Sequence, residues 1–230
     1  RLAPIGFSFA VQTGLFARLN LTAPLGSTPG SSDGLDTLVL PNRIPSSVTN
    51  PYLNEVLRGG ADRDVLVRKY AWGIPNDAAI EALKDIAPLI EIGAGTGYWA
   101  WLLRQQGVDI VAYDKHPPSL EAKNTFHRDN PTWTSVACGD IQQAARHHTR
   151  ALFLCWPPLG EFLASEALDL YEGNYVAYVG SPSFTGNHAF HRKLLEDFDE
   201  RKVVEIPTWP GIDDKLTIYR RKRRIITLDV

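Results

Sequence analysis

A chain of 230 residues, 44% hydrophobic and 22% charged, can bury one sizeable domain, or one domain with a modest lid. Its formal net charge of -2 supplies no global pull toward DNA, RNA or an anionic membrane, so neither nucleic acid nor membrane is expected as a partner. Two cysteines, Cys138 and Cys155, are too few for a disulfide framework, and no apolar run nears the roughly 20 residues of a bilayer span, so a cytoplasmic protein with free thiols is expected.

The chain begins at Arg1 and contains no methionine, so a longer natural N-terminus is expected. Residues 1–75 read as a helical and loop-rich extension or lid. Ile5 to Leu19 has helical spacing, Thr22 to Pro51 is rich in Gly, Ser and Pro, and Pro51 to Tyr70 is helical again. Residues 76–230 alternate short apolar strands with helices. Asn76 can cap a helix through Ile86, Leu89 to Ile92 is a buried strand, and Tyr98 to Gln106 is a helix closed by Gly107. Val108 to Tyr113 is the second strand, Ser119 to Arg128 a helix and Thr134 to Ala137 the third strand. A short helix over Ile141 to His147 leads to the fourth strand, Ala151 to Cys155. A helix through Leu163 to Leu170, a fifth strand at Tyr175 to Val179 and a helix over His188 to Phe198 follow. Val203 to Ile206 and Leu216 to Tyr219 are the closing strands. This alternation predicts an α/β fold, a largely parallel sheet with helices on both faces.

Glu91-Ile92-Gly93-Ala94-Gly95-Thr96-Gly97 lies between a predicted strand and a predicted helix. The dinucleotide fingerprint requires its last glycine where Tyr98 stands, and no Lys-Ser or Lys-Thr pair follows to make a phosphate loop. Asp114 ends the second strand 21 residues after Gly93, where its carboxylate can accept hydrogen bonds from ribose hydroxyls. Gly139-Asp140-Ile141 ends the third strand and Cys155-Trp156-Pro157-Pro158 the fourth.

Together these motifs resemble the class I S-adenosylmethionine-dependent methyltransferase superfamily, over roughly Tyr70 to Arg221. The resemblance implies a Rossmann-like sheet of seven strands, with Lys215 to Arg221 as an antiparallel last strand beside the fifth. It implies S-adenosyl-L-methionine as cofactor. Glu91 would meet its methionine end, Gly93, Gly95 and Gly97 would lie beneath it, Asp114 would hold the ribose, and Asp140 and Ile141 would border the adenine. Tyr70 and Trp72 would close over it, with Cys155 alongside.

On the reaction side, amino-methylating members of the superfamily carry Asn or Asp before Pro-Pro, whereas here Cys155 and Trp156 precede the prolines and Leu159 follows them. Candidate catalytic positions are Cys155 and Trp156, Ser181 in the hydroxyl-rich loop after the fifth strand, and His188, whose imidazole suits proton removal near neutrality. No third ligand accompanies His188 and His191, so no metal is expected. Arg220 to Arg224 reads as an exposed basic turn. The resemblance implies methyl transfer to a small molecule. Two alternatives stay open: cyclisation of the cofactor's own aminocarboxypropyl arm to azetidine-2-carboxylate with release of 5'-methylthioadenosine, and a non-catalytic cofactor-binding scaffold. Oligomeric state is not legible.

Overall fold

Each of the first three described helices is opened by a side chain that takes over an unpaired backbone N–H. Asn50 accepts from Leu53 N–H ahead of α1 (Pro51–Arg58), Asp62 from Asp64 N–H ahead of α2 (Arg63–Lys69), and Asn76 from Ala79 N–H ahead of α3 (Asp77–Lys84). The computed structural model describes residues 49–60, 62–118 and 124–223. The expected helix at Ile5 to Leu19 and nearly all of the loop before Pro51 lie outside them.

After α3 come β1 (Leu89–Ile92), α4 (Tyr98–Gln105), β2 (Ile110–Asp114), β3 (Ala137–Cys138), α5 (Gln142–Arg146) and β4 (Ala151–Cys155). The chain continues through α6 (Leu163–Leu170), β5 (Tyr175–Gly180), α7 (His188–Asp197), β6 (Phe198–Glu205) and β7 (Lys215–Arg221). The described strands form one seven-stranded sheet in the order β3-β2-β1-β4-β5-β7-β6. The first five strands are parallel to one another, while β7 runs antiparallel to both β5 and β6. This is the expected Rossmann-like methyltransferase sheet, last strand included.

The strand period of two divides the apolar side chains between two cores. On one face Leu89, Phe153, Ala177 and Val179 pack with Trp99 and Leu103 of α4 and with Leu83 of α3. Tyr52 of α1 and Leu66 of α2 belong to that same core. On the other face Ile90, Leu152, Leu154 and Val176 meet Ala167 of α6 and Phe190 and Leu194 of α7. Glu91 is two residues beyond Leu89, so it shares the face of α4 and is carried to the carboxyl end of the strand.

Two expected elements differ. Residues 119–123 lie outside the described part, and Asn124 to Arg128 is not helical: the Asn124 side chain accepts from the N–H groups of Phe126 and His127, and Asn124 pairs back with Arg128 in an isolated bridge. An asparagine that bonds its own downstream amides offers the backbone a turn in place of a helix. The third strand shrinks to Ala137–Cys138 because Arg104 takes the preceding residues away from the ladder. Its guanidinium donates to Thr134 Oγ1 at 2.6 Å and to the Ser135 carbonyl at 3.0 Å.

Candidate functional site

Along the carboxyl edge of the sheet the chain turns sharply after each parallel strand. Gly95 and Gly97 lie in the left-handed region, at φ of 53° and 71°. A Cβ at Gly95 would stand 2.3 Å from His127 Nε2, and one at Gly97 would stand 2.6 Å from Val136 Cγ2, so both require glycine on space as well as on φ. Gly93 is left-handed as well, at φ of 74°, but a Cβ there would make only ordinary contact with Leu163, at 3.8 Å. The loop is tied to β2: Gly93 and Ala94 N–H both donate to the Tyr113 carbonyl, and Gly95 N–H donates to Asp114 Oδ2 at 2.9 Å. Asp114 Oδ1 accepts from His116 N–H at 2.8 Å. The glycine loop and the carboxylate at the end of the second strand therefore form one hydrogen-bonded unit.

Glu91 sits under this loop, 1% exposed. Burial pushes its carboxyl up to about 8; the positive charge of Arg104 opposes the rise and the negative charge of Asp114 adds to it. Its Oε2 has no hydrogen-bond partner.

Next along the edge stands Trp156, whose φ of 53° is rare for a bulky residue. Its N–H donates to the Val179 carbonyl of β5, and its indole Nε1 donates to Asp214 Oδ2 at 2.5 Å. Its ring stacks on Trp72 with centroids 5.3 Å apart, and the guanidinium of Arg63 lies 5.5 Å above the Trp72 ring. Gly73 permits this closeness, because a Cβ there would stand 2.6 Å from Val179 Cγ1. Asp214 immediately precedes β7, next to Lys215, and Ser181 immediately follows Gly180, the residue paired with Lys215. Burial raises Asp214 to about 6, against the hydrogen bond from Trp156, with Asp213 adding to the rise.

Among the described residues, the buried side-chain polar atoms with no hydrogen-bond partner are Arg63 Nε, Trp72 Nε1, Glu91 Oε2, Ser181 Oγ and Asp214 Oδ1. All five belong to this edge, either on the strand ends or on the Trp72–Trp156 stack. An unpaired buried polar atom costs free energy unless a ligand supplies its partner, so their gathering marks a binding site.

The structure brings Glu91, the three glycines, Asp114, Trp72, Cys155, Trp156 and Ser181 to this edge. Burial raises the Cys155 thiol well above its ordinary range, with Glu91 adding to the effect, which keeps it neutral and a poor nucleophile. Asp140 is exposed and accepts from Gln142 N–H at 3.0 Å, while Ile141 packs against the second core. Tyr70 stands apart. Its ring stacks on Tyr52 at 4.8 Å and on Trp133 at 5.1 Å, and its hydroxyl donates to Glu55, so the backbone carbonyl is what meets the glycine loop, through Thr96 Oγ1. His188 opens α7 exposed, and His191 is held by the Thr185 carbonyl at 2.8 Å. The basic run lies at the opposite end of β7 from Asp214. There Arg221 donates to the Gly173 and Tyr171 carbonyls and Lys222 to those of Leu195 and Glu196.

Sequence reasoning missed Asp214, Arg63 and His127. The signal for Asp214 was an acidic pair, Asp213-Asp214, just before the antiparallel strand; only the β5–β7 register makes it meaningful.

No family model matches the chain. Ribosomal RNA large subunit methyltransferase M of Pseudomonas entomophila is 29% identical over 163 residues, which is 64% of this chain and 42% of that protein. The chain thus spans less than half the length of this curated relative. Among solved structures, magnesium protoporphyrin IX methyltransferase (ChlM) of Synechocystis with bound SAM is 13% identical, with 77% of this chain and 93% of that one covered at a TM-score of 0.43. The N-methyltransferase NodS of Bradyrhizobium japonicum with S-adenosylhomocysteine is also 13% identical, over 76% of this chain and all of that one, at a TM-score of 0.46.

One expectation is corrected here. Net charge argued against a nucleic-acid partner, yet the curated relative is by name an rRNA methyltransferase. A net charge of -2 sums the whole chain, whereas a local group such as Arg63 at the edge of the site acts within about a Debye length. In its strand order, its antiparallel seventh strand and the loop after β1, the chain has the Rossmann-like fold of the class I S-adenosylmethionine-dependent methyltransferase superfamily.

Proposed function

We propose that the chain binds S-adenosyl-L-methionine at the carboxyl ends of β1 and β2 and transfers its methyl group to a nucleic-acid acceptor. The observation that carries this reading is the unpartnered Oε2 of Glu91, buried beneath the glycine loop that Asp114 ties down. An ammonium group is the natural partner for that oxygen, and the cofactor carries one at its methionine end. Asp114 keeps lone pairs free on both oxygens after its two backbone bonds, so it can accept from vicinal hydroxyls.

The cofactor supplies an electrophilic methyl carbon on a sulfonium centre. What remains for the protein is to position the acceptor and exclude water. Trp72 and Trp156 wall the site with apolar surface and present aromatic faces suited to a cation. The neutral Cys155 thiol offers no competing nucleophile. The acceptor class is supported by the name of the curated relative and by local cations. Arg63 flanks the stack, and the exposed Arg128 follows His127, the residue that covers Gly95. Such side chains hold phosphates without reading sequence.

The test is incubation of the purified protein with S-adenosylmethionine alone, with RNA, and with an RNA-free metabolite fraction, resolving nucleoside products by mass. S-adenosylhomocysteine formed only with RNA is the expected outcome. Its formation with the metabolite fraction alone would overturn the acceptor class. 5'-Methylthioadenosine released without any acceptor would replace methyl transfer by cleavage of the cofactor's other arm.

A further inference from the structure

Two buried oxygens at the reaction side are left over by the cofactor reading. Asp214 is 3% exposed and Ser181 1% exposed. Ser181 follows Gly180 and Asp214 precedes Lys215, and Gly180 and Lys215 are the last pair of the antiparallel β5–β7 ladder at this edge. Asp214 Oδ2 accepts from the Trp156 indole, while Asp214 Oδ1 and Ser181 Oγ have no partner and do not bond each other.

The position matters. Trp156 stands directly before Pro157-Pro158, where the amino-methylating pattern carries a side-chain oxygen. Here that residue offers an N–H donor, and the donor is already used on Asp214. The oxygen lost from the end of β4 is thus present in space, delivered from the start of β7. The unusual left-handed backbone of Trp156 is part of this arrangement, since it accompanies the indole bond to Asp214.

We infer that Asp214 and Ser181 form an acceptor-side subsite for an amino group, the exocyclic NH2 of a nucleobase. An amino group carries two hydrogens and can donate to both oxygens. A hydroxyl can likewise donate to Asp214 and accept from Ser181, so what favours the amino group of a planar base is the flat aromatic wall beside the two oxygens. A carboxylate acceptor strengthens such a bond and discriminates strongly against a ligand that lacks the donor. The adjoining Trp72–Trp156 stack gives the subsite a planar apolar wall beside its polar end. This assignment rests on the nucleic-acid reading above and specifies which of the acceptor's groups is held.

Calorimetric titration of adenosine onto protein saturated with S-adenosylhomocysteine tests it, with purine riboside, which lacks the amino group, as the paired probe. Saturation keeps both nucleosides out of the cofactor's own adenine site. Adenosine is expected to bind at least tenfold more tightly than purine riboside. Asp214→Asn should abolish that preference. Trp156 would claim the amide oxygen and leave an NH2 donor where Oδ1 stood, facing the ligand's own donors. Ser181→Ala should reduce the preference severalfold. S-adenosylhomocysteine affinity, unchanged in both variants, certifies that they are folded and that the loop is intact. Failure of the wild type to bind S-adenosylhomocysteine sinks the cofactor reading itself. Retention of S-adenosylhomocysteine binding without adenosine binding, with equal affinity for both nucleosides, or with a preference untouched by Asp214→Asn overturns the subsite alone.

Discussion

Glu91 shows how a single side chain connects folding to binding. Its carboxyl is held near 8, against about 4.5 when exposed, so the folded protein binds that proton more tightly than the unfolded chain does. The sign follows: Glu91 carries no penalty below about pH 4.5, and its cost grows as pH rises, reaching full size above about 8. Glu91→Gln should therefore gain stability relative to wild type as pH rises from 5 to 8.5, by a few kcal/mol, read from urea unfolding at the two pH values. A difference that stays constant with pH would show that Glu91 ionises freely. Saturating S-adenosylmethionine should shrink this pH dependence, because its ammonium favours the charged carboxylate. At Gly95 the requirement is steric: Gly95→Ala places a methyl within 2.3 Å of His127 Nε2 and strains a φ of 53°. We expect it to weaken cofactor binding by at least tenfold, measured calorimetrically, with a smaller loss at Gly93→Ala, where φ is strained but a methyl makes only ordinary contact with Leu163.

At the scale of elements, regular stretches were legible wherever local pattern and tertiary demand agree. β1, β4 and α3 follow the buried runs and the Asn76 cap, and strand β7 was placed at Lys215 to Arg221 by the family resemblance. Where a side chain intervenes, pattern alone fails. Asn124 turns its segment by bonding two downstream amides, and Arg104 occupies the polar groups ahead of β3. Neither bond is visible from hydrophobic periodicity. Arg104→Ala should consequently loosen the segment that carries Val136 against Gly97. Faster amide exchange over residues 133–138, with β4 and β5 unchanged, is the expected result. Phe153, fully buried between α4 and the sheet, marks the opposite limit: Phe153→Ala should cost about 3–5 kcal/mol in chemical denaturation without altering the site's chemistry.

For the molecule as a whole, one edge of the sheet carries the left-handed residues Gly93, Gly95, Gly97 and Trp156 and, among the described residues, the buried side-chain atoms that have no hydrogen-bond partner. The cofactor half of that edge was readable from sequence because its residues follow their strands directly, at Glu91 to Gly97 and at Asp114. The acceptor half was not. Asp214 reaches it from a strand that runs the other way, and Arg63 reaches it from a helix before the sheet begins. Net charge misled for the related reason that it sums over residues whose positions it ignores. The central claim is that Asp114, bonded to Gly95, and the orphaned Glu91 together hold S-adenosylmethionine. Calorimetric titration of S-adenosylmethionine into wild type and Asp114→Ala tests this most directly. Saturable one-to-one binding by the wild type, weakened at least tenfold in a variant that remains folded by circular dichroism, is the result we predict; equal affinity in the two proteins, or no binding to either, would contradict it.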